Sequence, residues 1–88
     1  MKFNFYSDGG HGWAKVKIAL LKKLGIAEKI TTYSYMRGEY AYLEEDCDLT
    51  TFVLALRAKN IEPQFIDHHS AKRSRIRNYA SFSMRIIP

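Results

Sequence analysis

The chain has 88 residues, of which 47% are hydrophobic, and carries a formal net charge of +5. This length suits one domain with a modest core, and the apolar content excludes wholesale disorder. Its single cysteine, Cys47, excludes an internal disulfide and a zinc site built on several thiolates. The sequence shows no signal peptide and no apolar run of membrane-spanning length, so we expect a cytoplasmic protein without membrane contact.

The charge is distributed unevenly along the chain. Residues 1–43 carry seven Lys or Arg against three Asp or Glu, residues 44–69 carry two against six, and residues 70–88 carry five against none. We therefore expect a single α+β domain over residues 1–69, followed by a basic C-terminal arm, residues 70–88, that is partly packed on the domain. A basic arm suits polyanions, because it neutralises phosphates and releases counterions. A solvated tail is the alternative.

Two runs of alternating residues flank the glycine-rich segment 7–13. Phe3 and Phe5 alternate with polar residues before this segment, and Val16 and Ile18 do so after it. Period two indicates strands, so the sequence predicts a hairpin in which Phe5 faces Val16 and Phe3 faces Ile18.

The loop of this hairpin is predicted at residues 9–12, with Asp8 and Trp13 as its closing pair. Its glycines are explained as residues that adopt a positive φ. What this leaves unexplained is His11 at the tip and Trp13 on the strand face opposite the phenylalanines. The alternative is a helix over residues 13–24, which gives a βαββαβ, ferredoxin-like order.

Two helices and a final strand follow from the apolar spacing. Residues 19–24 read as a short helix that Gly25 ends, and residues 48–59 carry apolar side chains at helical spacing. Residues 61–67 are predicted as the last strand, and Pro63 indicates either an edge strand or a position early in the strand.

Residues 30–44 form the clearest hairpin. A turn at Arg37-Gly38 would place Tyr35 opposite Tyr40 and Tyr33 opposite Tyr42. The four tyrosines share one face, either packed through cross-strand pairing or exposed as a platform on which bases stack. The complete prediction is a mainly antiparallel sheet in the order ββαββαβ, with both helices on one face.

Five segments of the chain together form a recognisable pattern: Tyr6-Ser7-Asp8, Gly10-His11-Gly12-Trp13, the stretch 42–48, His68-His69 and the stretch 76–79. In these segments the chain resembles a family of small phage- and plasmid-borne proteins with a YSD-x-GHGW opening segment. The resemblance extends to about residue 82, and residues 83–88 look like an added tail. The resemblance assigns no catalytic role to any residue of this chain. It implies a factor of a mobile element that acts in the cytoplasm of a bacterial host, in host takeover or counter-defence.

Catalytic chemistry would require polar residues that are distant in the sequence to meet in space. Cys47 would need a histidine beside it to act as a nucleophile. A metal site would combine Asp8 and His11 with His68 or His69, although adjacent histidines on a strand point to opposite faces. No metal-ligand spacing such as HxxxH or CxxC supports such a site.

The sequence favours a non-enzymatic binding protein that contacts a host protein or a protein–nucleic-acid complex, without a cofactor, resident metal or catalytic residue. Direct contact with nucleic acid is possible because arginine suits phosphate. The alternatives are a small hydrolase or metal-dependent enzyme centred on Asp8, His11 and Cys47, and a simple nucleic-acid-binding module. The binding candidates are Lys72, Arg73, Arg75 and Arg77 in the arm, Tyr33, Tyr35, Tyr40 and Tyr42 in the hairpin, and His11 with Trp13 at the loop.

Overall fold

The computed structural model describes residues 1–84, so the end of the predicted arm and tail, residues 85–88, lies outside the described residues. The strands are β1 (Lys2–Ser7), β2 (Gly12–Lys17), β3 (Tyr35–Arg37), β4 (Tyr40–Glu44), β5 (Gln64–His69) and β6 (Ala80–Ser81). The helices are α1 (Ile18–Lys23) and α2 (Asp48–Arg57), with short 3-10 helices at Ala27–Lys29 and Arg75–Asn78.

The fold is α+β, with two helices and one six-stranded mixed sheet in the order β5-β1-β2-β4-β3-β6. The expectation of a mainly antiparallel ββαββαβ arrangement holds only in part. β5 runs parallel to β1, because the chain crosses the sheet through α2 and enters the far edge in the same direction as β1. A further strand, β6, forms within the arm and pairs with β3. The ferredoxin-like alternative is wrong, since Gly12–Lys17 is a strand.

The first hairpin has the predicted faces but a different register. Phe5 pairs with Ala14 and Tyr6 with Trp13, which is two positions away from the predicted pairing. The difference arises because Asp8 leaves the strand. The Asp8 carboxylate accepts hydrogen bonds from the backbone N–H groups of Gly10 and His11. The backbone N–H of Asp8 donates to the carbonyl of His11. Such an Asx turn ends β1 one residue early.

The second hairpin is shifted in the same way. Tyr35 pairs with Tyr42, and Arg37 pairs with Tyr40, so the turn is Gly38-Glu39 rather than Arg37-Gly38. Gly38 has a φ of 58° and occupies the first central position, where a type II′ turn requires a positive φ. A shift of two positions keeps every side chain on its predicted face.

Both helices pack on one face of the sheet, which we call the helix face. Leu21 of α1 and Phe52 of α2 are fully buried there, in one apolar cluster with Val16 and Leu43. The Phe52 ring meets Phe3 of β1 edge to face, with ring centres 5.1 Å apart. α2 is slightly shorter than predicted. Within residues 1–84, neither helix is long and apolar enough to cross a membrane.

The opposite face of the sheet, the aromatic face, is covered by the arm instead of a helix. Trp13, Tyr42 and Ile76 are buried there, with several partly buried tyrosines packed around them. The 3-10 helix Arg75–Asn78 supplies Ile76, and farther along the arm Phe82 is buried in the helix-face core. The described part of the arm therefore contributes one buried side chain to each face of the sheet.

Candidate functional site

A salt bridge between Asp8 and Arg77 ties the first loop to the arm. The Asp8 carboxylate accepts two hydrogen bonds from the Arg77 guanidinium, at 2.7 and 2.8 Å, and one from the N–H of Ser74 at 2.9 Å. It also accepts the two loop N–H groups described above. The Arg77 guanidinium, followed by these backbone donors, holds the pKa of Asp8 far below its ordinary value of 3.8. We call this arrangement the Asp8 clasp.

The loop glycines are explained by close packing rather than by backbone conformation. Positive φ values among the described glycines occur at Gly25 and Gly38, so the expectation of a positive φ in segment 9–12 is wrong. At Gly12, a Cβ would overlap the ring of Phe5, and at Gly10 it would lie 2.9 Å from the Arg77 guanidinium. Two of the glycines therefore leave room for a ring and for the clasp.

A groove of about 540 Å³ runs between the arm and the aromatic face. Four cationic side chains line it, together with aromatic and histidine rings, serines and Ile76, and none of its lining residues carries a carboxylate. We call it the basic groove. Its cations are Lys15, Lys72, Arg73 and Arg75, and its rings are Tyr6, Tyr42, Tyr79, His68 and His69.

The rings of the basic groove are held in place by contacts with one another and with the sheet. His68 stacks on Tyr6 with ring centres 4.9 Å apart and an interplanar angle of 19°. Its Nε2 lies 3.0 Å from Oδ1 of Asn4, which fixes the ring plane. Tyr42 packs against Tyr79 at 5.1 Å, and burial raises the pKa of Tyr42 above its ordinary value of 10.0. The groove thus has an ordered aromatic floor.

The arm cations of the groove carry uncompensated charge. Within residues 1–84, neither Lys72 nor Arg75 forms an ion pair, and Arg73 donates a single hydrogen bond at 2.9 Å to the side-chain oxygen of Asn78. All three cations are exposed. Arg77, the fourth cation predicted for binding, is instead held in the Asp8 clasp.

A second cavity, of about 360 Å³, differs from the basic groove because two carboxylates, those of Glu44 and Asp46, line it. We call it the acidic cavity. Nδ1 of His11 lies 3.2 Å from Oε1 of Glu44, and Oε2 of Glu44 accepts the N–H of Asp46 at 3.1 Å. The lining residues are His11, Trp13, Tyr33, Tyr35, Glu44, Asp46, Cys47 and Arg77.

The structure brings His11 and Cys47 to one cavity but places His68 elsewhere. His11 and Cys47 line the acidic cavity, whereas His68 lines the basic groove. The carboxylate of Asp8 is occupied by the clasp, and Sγ of Cys47 lies 3.7 Å from the hydroxyl of Thr31. The proposed metal set of Asp8 and His11 with His68 or His69 is therefore not assembled.

The aromatic candidates differ in how much of each side chain is accessible. Trp13 is 1% exposed and Tyr42 is buried, whereas Tyr33 lies outside β3 and is 73% exposed. Tyr35 and Tyr40 are half-buried, and Lys15 lies 4.2 Å from the centre of the Tyr40 ring.

Sequence reasoning missed several groove residues. Tyr6, Lys15 and His68 were not among the predicted binding residues, although the alternation of β1 and β2 places Tyr6 and Lys15 on the face of Trp13. The alternation alone could therefore have placed Tyr6 and Lys15 on the aromatic face. The position of His68 depends on the parallel pairing of β5 with β1, for which no local pattern exists.

Comparison with known proteins gave no match, either to a protein-family model, to a curated protein or to a solved structure.

Proposed function

We propose that the protein is a non-enzymatic binding protein that holds a single-stranded nucleic acid in the basic groove. The observation that carries this proposal is a groove lined by four cationic side chains and by ordered rings, without a carboxylate. Grooves that combine positive charge with stacking rings are typical of proteins that bind single strands.

The arm supplies the contacts to phosphate. Lys72, Arg73 and Arg75 extend from a segment that the clasp and Ile76 fix against the sheet, so their charges are concentrated along one side of the groove. Because they form no ion pair within residues 1–84, a phosphate would not need to displace an acidic partner.

The aromatic floor supports a single strand over a duplex. The exposed His68 ring, backed by Tyr6, offers a flat surface on which an unpaired base can stack. Such stacking contributes about 1–3 kcal/mol per base and tolerates any sequence. Bases within a duplex are already stacked on each other and cannot reach this surface.

The test is fluorescence anisotropy with a labelled single-stranded oligonucleotide, compared with the same sequence as a duplex. We expect tighter binding of the single strand and a steep loss of affinity with salt. A triple variant, Lys72→Ala with Arg73→Ala and Arg75→Ala, should reduce the slope of log K against log salt by about 2.

The matched control removes the same charge from exposed lysines away from the groove, as Lys22→Ala with Lys23→Ala and Lys59→Ala. This control should bind much more tightly than the arm variant. Equal losses in the two triple variants, or no binding to any oligonucleotide at low salt, would contradict the proposal.

The wider role remains a prediction that rests on the resemblance. It places the protein on a mobile element, as a host-takeover or counter-defence factor that contacts a host protein or a protein–nucleic-acid complex. A pull-down from bacterial lysate tests it, with and without nuclease. A complex that nuclease abolishes would identify the nucleic acid as the bridge to the host partner.

The geometry does not bring together the three residues on which the enzyme alternative was centred. Asp8, one of its three residues, accepts five hydrogen bonds within the clasp and has no free role as a base. His11 and Cys47 share the acidic cavity without a hydrogen bond between them among the described contacts.

A further inference from the structure

Three carboxylates are buried in the described part of the chain, and they differ in what compensates their charge. Asp8 has the Arg77 guanidinium. Asp48 lies in the first turn of α2 and accepts hydrogen bonds from Thr31 and Ser34. Glu44 has neither an arginine nor a lysine within ion-pair distance in residues 1–84.

The partners of Glu44 leave its negative charge largely uncompensated. One carboxylate oxygen faces the His11 ring, which carries a charge only when it is protonated, and the other accepts the backbone N–H of Asp46. The Glu44 side chain is 12% exposed. A carboxylate at this depth is costly unless it is paired or coordinates a cation.

The donor atoms around Glu44 are close enough to share one ion. His11, Glu44 and Asp46 each offer one ligand atom, and these atoms all lie within 4.8 Å of one another. One imidazole nitrogen and two carboxylate oxygens form a mixed set that suits zinc and related divalent ions better than magnesium or calcium, which prefer oxygen alone.

A further polar group in the wall of this cavity has no partner. Trp13 lines the acidic cavity, and its indole nitrogen is buried without a hydrogen bond to any described residue. Buried indole N–H groups usually donate a hydrogen bond. Among the described residues, the buried side-chain polar atom without a partner thus belongs to a residue that lines the same cavity as the three donor atoms.

We propose that His11, Glu44 and Asp46 bind a divalent transition-metal ion of the zinc type. The ion would compensate the charge of Glu44 and link the loop between β1 and β2 to the turn that precedes α2. Three protein ligands leave a coordination position for a water or for a donor atom of a partner. This inference does not depend on nucleic-acid binding in the basic groove.

The test is a titration of the full-length protein, first freed of metal with a chelator, with zinc chloride by isothermal calorimetry. We expect binding at a single site, and at least about tenfold weaker binding for His11→Ala and for Asp46→Asn. Both residues are exposed, so circular dichroism should show both variants folded. The control, His68→Ala, removes an exposed histidine outside the cluster and should retain the affinity.

A second readout places the ion within the molecule. Trp13 is the only tryptophan, and its ring centre lies 6.2 Å from that of His11. Cobalt chloride should therefore quench the tryptophan fluorescence of the protein, zinc should reverse this quenching, and His11→Ala should abolish it.

The proposal is overturned if the metal-free protein does not bind zinc. It is also overturned if His11→Ala and Asp46→Asn bind zinc as tightly as the unchanged protein, or if His68→Ala alone loses the binding. The last result would assign the ion to the basic groove.

Discussion

The two faces of the sheet are built from the same strands but closed in different ways. On the helix face, alternate residues of β1, β2 and β4 pack against two helices in one continuous apolar cluster. On the aromatic face, the intervening residues meet the arm, which supplies the short 3-10 helix Arg75–Asn78. The two helices cover the helix face with side chains, whereas the narrower arm leaves the basic groove and the acidic cavity uncovered on the aromatic face. The helix face therefore holds the larger core, and the aromatic face holds the cavities for which binding is proposed.

The cavities of the aromatic face also separate charge. The basic groove holds Lys72, Arg73 and Arg75 of the arm, and the acidic cavity holds Glu44 and Asp46. The clasp neutralises Arg77, which would otherwise add a positive charge to the acidic cavity. The Asp8–Arg77 ion pair thus preserves the difference in charge between the basic groove and the acidic cavity.

The largest expected effect comes from opening the helix face. Phe52→Ala should lower the free energy of unfolding by about 3–5 kcal/mol, because it removes a fully buried ring from the core. The control is Leu54→Ala on the same helix, at a position that is 58% exposed, which should change stability by less than about 0.5 kcal/mol. Urea unfolding followed by circular dichroism measures both. Similar losses for the two variants would remove the distinction between the faces.

A smaller effect is expected at the loop that links β1 and β2. Gly12→Ala should cost about 1–3 kcal/mol, because the new methyl group overlaps the Phe5 ring on the helix face. Gly9→Ala is the matched control, since nothing lies within 4 Å of a Cβ at that position. Thermal unfolding of both variants provides the comparison. If Gly9→Ala were the more harmful substitution, the packing explanation of the loop glycines would be wrong.

The smallest effect is expected from weakening the clasp on the aromatic face. Asp8→Asn keeps the side-chain shape but removes the charge, and should lower the melting temperature at neutral pH by about 5 °C. The folded-state pKa of Asp8 lies below its ordinary value of 3.8. The clasp therefore stabilises the fold above that pH, and its contribution disappears as the pH falls further toward the folded-state pKa.

The measurement for the clasp is a series of melting curves between about pH 6 and pH 2. The difference between the unchanged protein and Asp8→Asn should be full at pH 6 and should shrink as acid is added below 3.8. A control variant, Asp67→Asn, removes an exposed carboxylate from β5 without touching the arm. A difference that stays constant over the whole range would show that the charge of Asp8 does not hold the arm.

The sequence predicts which face of the sheet a strand residue occupies more reliably than it predicts which residue it pairs with. Period-two alternation correctly assigned Phe3 and Phe5 to one side of the sheet and Trp13 to the other, because alternation is a local property. Both hairpin registers were wrong by two positions. They depend on which residue leaves the strand first, and this was decided at Asp8 by side-chain hydrogen bonds and at Gly38 by its backbone conformation.

The candidate sites were less accessible to prediction because they depend on distant contacts. The arm cations were expected from charge alone. The groove that presents them requires β5 to pair with β1 and Arg77 to meet Asp8, which is 69 positions away in the chain. Likewise, His11 meets Glu44 only because β2 pairs with β4. Local patterns do not specify such pairings.

The position of β1 between β2 and β5 has a consequence for how the chain folds. β1 can pair with β2 as soon as the first hairpin forms, but its other edge waits for a strand that begins at Gln64. The arm follows β5 in the chain, and its anchor in the first loop is a second non-local contact. Because non-local pairings of this kind slow folding, the rate-limiting step should join β1 to β5 and to the arm. The basic groove, which β5 and the arm help to line, would then form only when this step is complete.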